Sequence, residues 1–217
     1  MNCATKKTLF TIFCFFTIAF QSSYSYICSY FSPDEGVADV FITHINSEHK
    51  SIRIACYLLT HMQIAKALVH ALQRGVSVEL VIDQTSLDSG AIHKLLSAGA
   101  PIFVYVPPAG LDGRRPGHRR NILMHNKFCL FESQQILWTG SFNFTLTAAE
   151  ANQENVIVTD DPETVRRFSD RFLHLKMRSE HVTHISAREF FDNIGDDSNS
   201  APGFLADCAA WLKSLFA

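Results

Sequence analysis

Apolar positions along this chain switch repeatedly between two spacings, and the switching outlines a fold. An extended run closes at Phe31-Ser32-Pro33, and apolar residues then recur at helical intervals from Val37 to Ile45. Ser51 to Leu59 reads as a strand. A helix is expected from Met62 to Arg74, closed by Gly75, because glycine accepts the left-handed conformation in which helices commonly end. Val76 to Asp83 is the next strand, Gly90 to Ser97 the next helix, stopped by Gly99, and Ile102 to Val106 a further strand before Pro107-Pro108 breaks the chain. Ala109 to Asn121 is a loop by composition. Beyond it, Ile122 to Phe131 and Gln135 to Thr139 read as consecutive strands joined by a polar turn, Glu132-Ser133-Gln134, and Asn155 to Thr159 as another. Pro162 to Met177 reads as a helix with Val165, Phe168, Phe172 and Leu175 on one face. Short strands alternating with longer helices predict an α/β sheet covered by helices.

The two ends follow other patterns. Lys6 and Lys7 precede an apolar run from Leu9 to Phe20 and then Gln21-Ser22-Ser23-Tyr24-Ser25, the charged, apolar and small-residue order of a secretory signal. Residues 1–25 are therefore expected to direct export to the periplasm or exterior; the competing reading is a retained anchor that associates the chain with a membrane. Residues 30–178 form the expected catalytic domain, and residues 179–217 an extension. Within the extension, Asp192 to Gly203 is a polar linker, and Phe204, Leu205, Cys208, Trp211, Leu212, Leu215 and Phe216 fall on one side of a helix. That helix is expected to pack back on its own domain.

A chain of 217 residues with 47% apolar content can bury the core of one domain. Its 19 basic and 21 acidic residues create no global field that would select an anionic partner, so any charge argument is local. The six cysteines form no Cys-x-x-Cys pair, and no histidines cluster at metal-ligand spacing, so neither a metal site nor a cofactor is expected. Cys56 and Cys129 lie in apolar strand-like runs and read as small buried hydrophobes.

Chemistry concentrates after the loop. Alternate residues of a strand face the same way, so His125 and Lys127 are expected to share a face about 7 Å apart, close enough for both to converge on one phosphate. An imidazole can attack phosphorus, and an ammonium can neutralise its oxygens. His-x-Lys alone is weak. Here it opens the longer pattern His125-x-Lys127-x-x-x-x-Glu132, followed by Gly140-Ser141-Phe142-Asn143 and by Asn152-x-Glu154-Asn155.

With these runs the chain resembles the phospholipase D superfamily, and within it the compact members that carry a single His-x-Lys motif. The likeness extends from about Phe31 to Phe172 and includes Arg74-Gly75-Val76-Ser77-Val78 at the second core strand. It implies a mixed sheet with helices on both faces and a metal-independent phosphodiesterase. His125 would be the nucleophile that forms a phosphohistidine; Lys127, Ser141 and Asn143 would hold the nonbridging oxygens. Glu154 would accept a hydrogen bond from the other nitrogen of His125 and fix its tautomer. Glu132 stands where the family pattern has Asp, and is expected to support the site from off the attacking line.

Such a reaction needs a second histidine as general acid and base, and the resemblance supplies it by pairing two chains about a two-fold axis. A homodimer is expected. Arg114, Arg115, Arg119 and Arg120 lie directly before the motif strand and suit a polyanion, favouring nucleic acid over an anionic phospholipid, for which only Pro107 to Leu111 offers an apolar edge. A protein that binds either ligand without turnover is the reading from another class; Glu132 is its best support.

Overall fold

The computed structural model describes residues 25–107 and 122–182. Its centre is one sheet of eight strands: β1 (Ile27–Ser32), β2 (Ser51–Cys56), β3 (Ser77–Ile82), β4 (Ile102–Tyr105), β5 (Lys127–Phe131), β6 (Ile136–Gly140), β7 (Glu154–Thr159) and β8 (Ser179–Val182). They lie in the order β1-β7-β6-β5-β2-β3-β4-β8. The β2-β3-β4 segment is parallel and every other pairing antiparallel, so the sheet is mixed. The carboxyl ends of β1, β2, β3 and β6 therefore meet the amino ends of β5 and β7 along one edge.

Helices α1 (Val37–Ser47), α2 (Met62–Gln73) and α3 (Gly90–Ser97), with the short α4 (Leu146–Glu150), bury their apolar sides in the larger core on one face. There Phe41, Phe131, Trp138 and Phe144 pack ring against ring. Helix α5 (Pro162–Lys176) covers the other face, with Phe172 and Leu175 buried and Val165 and Phe168 packed beside them, the face expected from its spacing. Each fully buried Ile, Leu or Phe contributes roughly 1.5–3 kcal/mol. Two covered faces explain why β5 is buried at all five positions and reads as an unbroken apolar run from Phe128 to Phe131.

Helix ends follow the punctuation. Gly75 and Gly99 have φ of 86° and 83°, as a left-handed stop requires. The strands are shorter than their apolar runs: β2 ends at Cys56 rather than Leu59, and β5 begins at Lys127 rather than Ile122. The sheet also exceeds the expected boundaries of 30 and 178, since β1 begins at Ile27 and β8 ends at Val182. Among the described residues Cys28, Cys56 and Cys129 form no disulfide with one another, and the last two are buried as expected. The N-terminal apolar segment, the arginine loop and the C-terminal amphipathic stretch lie outside the described residues. No described helix is long and apolar enough to cross a membrane.

Candidate active site

His125 belongs to an extended approach to β5, not to the sheet ladder, because the partner strand β2 ends where Cys56 pairs with Lys127. Two backbone contacts hold this approach. Asp83, at the carboxyl end of β3, accepts a hydrogen bond from the Met124 N–H through Oδ2 at 2.8 Å, while its Oδ1 receives the Thr85 N–H at 3.0 Å. The Tyr57 N–H donates to the carbonyl of Asn126 at 2.9 Å. His125 is thus exposed on a fixed backbone.

Lys127 is its opposite, with only 7% of the residue accessible. Its Nζ donates to the carbonyl of His125 at 3.0 Å and lies 3.2 Å from the Nδ1 of the same residue. Two of three ammonium hydrogens are so directed, and the third is free among these contacts. Burial pushes the Lys127 amine below its ordinary pKa, while the neighbouring Glu154 and Cys56 pull it back up. The shared face inferred from strand alternation holds.

The Gly140-Ser141-Phe142-Asn143 run leaves β6 beside this pair, since Gly140 faces Val156 across β6-β7 and Phe128 faces Thr139 across β5-β6. Gly140 is required by close approach: a Cβ there would lie 2.0 Å from the Asn155 carbonyl oxygen. The Ser141 N–H reaches that same oxygen at 3.0 Å, and the Asn155 N–H donates back to Ser141 Oγ at 3.0 Å. With Oγ accepting, the serine's own O–H is left to donate to a ligand. Phe144 is buried and stitched to the chain after β2, its N–H to Leu58 and its carbonyl to the N–H groups of Thr60 and His61. Adjacent Asn143 carries a buried Oδ1 without a partner among the described residues. A buried acceptor without a donor is costly, and a ligand N–H or O–H would offset that cost; the Nδ2 half of the amide is the part that can donate to phosphate oxygens.

Two expectations are corrected here. Within one chain Glu154 does not hydrogen-bond His125: its Oε1 accepts from Asn152 Nδ2 at 3.2 Å, and it acts on the site through its charge on Lys127. The His125 nitrogen expected to meet it is met by Lys127 instead. Glu132 sits beyond the far end of β5, exposed, with its N–H bonded to the Ser51 carbonyl, so the whole strand separates it from His125. The carboxylate that organises that end is Glu48, whose Oε1 accepts the N–H groups of His49, Lys50, Ser51 and Ser133. Arg114, Arg115, Arg119 and Arg120 lie outside the described residues.

Sequence reasoning missed Tyr57 and Asp83. Both follow adjacent parallel strands at their carboxyl ends, where open α/β sheets gather ligands, and that placement is the signal that could have found them. Tyr57 packs its ring 4.6 Å from that of His125, centroid to centroid, and 5.1 Å from Lys127 Nζ. Among the described residues, no three His, Cys, Asp or Glu side chains gather as metal ligands.

Known proteins resemble this chain in sequence and in fold. The family model of the PLD-like domain of cardiolipin synthase matches residues 41–176. A mitochondrial cardiolipin hydrolase of Danio rerio is 30% identical over 161 residues, 72% of this chain and 65% of that protein, so the match leaves about a third of that relative uncovered. A phospholipase D of Rickettsia bellii is 30% identical over 161 residues, 73% of each chain. Among solved structures, Nuc of Salmonella typhimurium, a phospholipase D family member, matches with a TM-score of 0.61 and 27% identity over 74% of this chain and 99% of that one.

Proposed function

Since the chain belongs to the phospholipase D superfamily and is a phosphodiesterase of that family, we propose that it hydrolyses phospholipid headgroups through a phosphohistidine at His125. The observation that carries the mechanism is the exposed imidazole held against a buried ammonium that keeps one donor unused among the described residues. A substrate phosphate draws the Lys127 amine onto a nonbridging oxygen, joined by the Ser141 hydroxyl and the Asn143 amide, and releases the imidazole lone pair. The His125 nitrogen attacks phosphorus, a P–N bond forms, and the bond to the leaving alcohol breaks as that oxygen takes a proton from a second imidazole. That imidazole then takes a proton from water; the water oxygen bonds phosphorus, and the P–N electron pair returns to His125.

One chain carries one such motif, and we assign the second imidazole to His125 of the partner subunit in a homodimer. Substrate choice follows from an apolar surface that the sequence did not reveal. Ile27 (68% accessible), Phe31 (51%) and Ile157 (46%) lie on one face of β1 and β7, beside Asn155, whose backbone holds Ser141. A lipid needs such an approach surface, and the relatives named phospholipase D and cardiolipin hydrolase agree with it. The Leu9 to Phe20 run delivers the enzyme to or across the membrane that holds its substrate. Nucleic acid is the second reading, favoured by Arg114, Arg115, Arg119 and Arg120.

The test offers purified protein, in chelator, cardiolipin and phosphatidylcholine vesicles, single- and double-stranded DNA, RNA, and a soluble chromogenic phosphodiester. Headgroup release is expected, reduced more than about a hundredfold in His125→Ala. Cleavage of nucleic acid with lipid untouched selects the second reading. Equal rates for His125→Ala and the parent would overturn the mechanism.

A further inference from the structure

One side chain touches both groups of the proposed chemistry and has no role in it so far. Tyr57 leaves β2 at the site edge. Its N–H bonds the carbonyl of Asn126, the peptide between His125 and Lys127. Its ring lies 4.6 Å from the His125 ring at an inclination of 50°, and 5.1 Å from Lys127 Nζ. One residue thus braces the motif through its backbone and meets both side chains through one aromatic ring.

We propose that Tyr57 is a positioning residue whose ring holds the Lys127 ammonium and the His125 imidazole in their reactive arrangement. The inference rests on the phosphohistidine reading above. An aromatic ring carries negative potential on its face, so it attracts an ammonium and favours the charged forms of groups beside it. Lys127 needs that help, because burial opposes its charge and, among the described residues, Glu154 from β7 is the one carboxylate that acts on it. Cys56 on β2 also raises the Lys127 pKa, but it is buried with its own thiol pushed upward by desolvation, so it stays uncharged at neutral pH. A lysine also has four rotatable side-chain bonds, and a displacement of about 1 Å at a reacting centre can cost about a hundredfold in rate. The ring restricts Lys127 from one side while Nζ is tied to His125 from the other. The role needs the ring and not the hydroxyl.

The experiment measures kcat, KM and melting temperature for Tyr57→Phe and Tyr57→Leu, with the substrate that the parent turns over and His125→Ala alongside. Phenylalanine is expected to keep kcat within about twofold, and leucine to lower it about tenfold with a smaller change in KM. Placing phenylalanines of increasing ring fluorination at position 57 keeps the shape and drains the ring's negative potential; kcat is expected to fall stepwise along that series. The series decides the matter if the leucine variant fails to fold. A flat fluorination series overturns the proposal, as does a phenylalanine variant as impaired as the leucine one. If His125→Ala is inactive while every Tyr57 variant matches the parent, the role of Tyr57 alone fails. If His125→Ala is as active as the parent, the phosphohistidine reading fails with it.

Discussion

For its proposed role of holding phosphate oxygens Lys127 must be protonated, yet burial lowers its pKa. The rate should therefore fall as pH rises through a value below the ordinary 10.5 of a lysine, which a pH profile of kcat/KM will read. Lys127→Met should abolish activity without lowering the melting temperature, because it removes a desolvated charge along with the catalytic contact. The pair itself was legible, since a period of two puts residues 125 and 127 on one side whether or not the ladder has begun. That no bond from His125 to Glu154 forms within the chain was not. Alternation tells which face a side chain takes, but not whether it spans the two interstrand gaps, each about 4.8 Å, from β5 through β6 to β7.

At the level of elements, the ends of β5 and β6 rest on contacts with distant segments. Desolvation raises the Glu48 carboxyl, but hydrogen bonds from Ser133 and from the backbone of Lys50, Ser133 and Ser51 outweigh it and hold its pKa at about 2. The folded value lies below the unfolded one, so this stabilisation is full above the ordinary carboxylate range and is lost as pH falls through about 2. Glu48→Gln should cost about 1–3 kcal/mol at neutral pH, with the difference from the parent shrinking in acid, as denaturant titrations at several pH values will show. Gly140→Ala drives a methyl into the Asn155 carbonyl and should cost about 1–3 kcal/mol while reducing kcat by displacing Ser141, seen in melts and rates together. Strand lengths were overread where apolar residues continue past the last partner: Tyr57 to Leu59 keep the pattern, but β2 has no ladder left to join. Strand β8 was missed because Ser179-Glu180-His181-Val182 has one buried residue and gains its conformation by pairing with β4.

The molecule as a whole presents the site at one sheet edge and an apolar face beside it. Phe31→Ser combined with Ile157→Ser should lower hydrolysis of vesicle lipid about tenfold while leaving a soluble chromogenic phosphodiester unaffected, since only the vesicle needs that face. The shared-imidazole reading also sets a concentration dependence. Activity per chain should drop on dilution at the concentration where sedimentation shows dimers separating, and a constant specific activity across that range would count against the shared site.

What the sequence determined by itself is the alternation of strands and helices, the helix stops, and the motif whose residue types admit phosphoryl chemistry, because these depend on local periodicity and on side-chain chemistry. Only the tertiary structure decided that Tyr57 and Asp83 brace His125, that Lys127 rather than Glu154 meets its imidazole, that Glu132 stands a strand away while Glu48 governs that end, and that Ile27, Phe31 and Ile157 form one face. Each of these is a contact between segments far apart in the chain. Strand order and register create such contacts, and no local pattern records which strands will be neighbours.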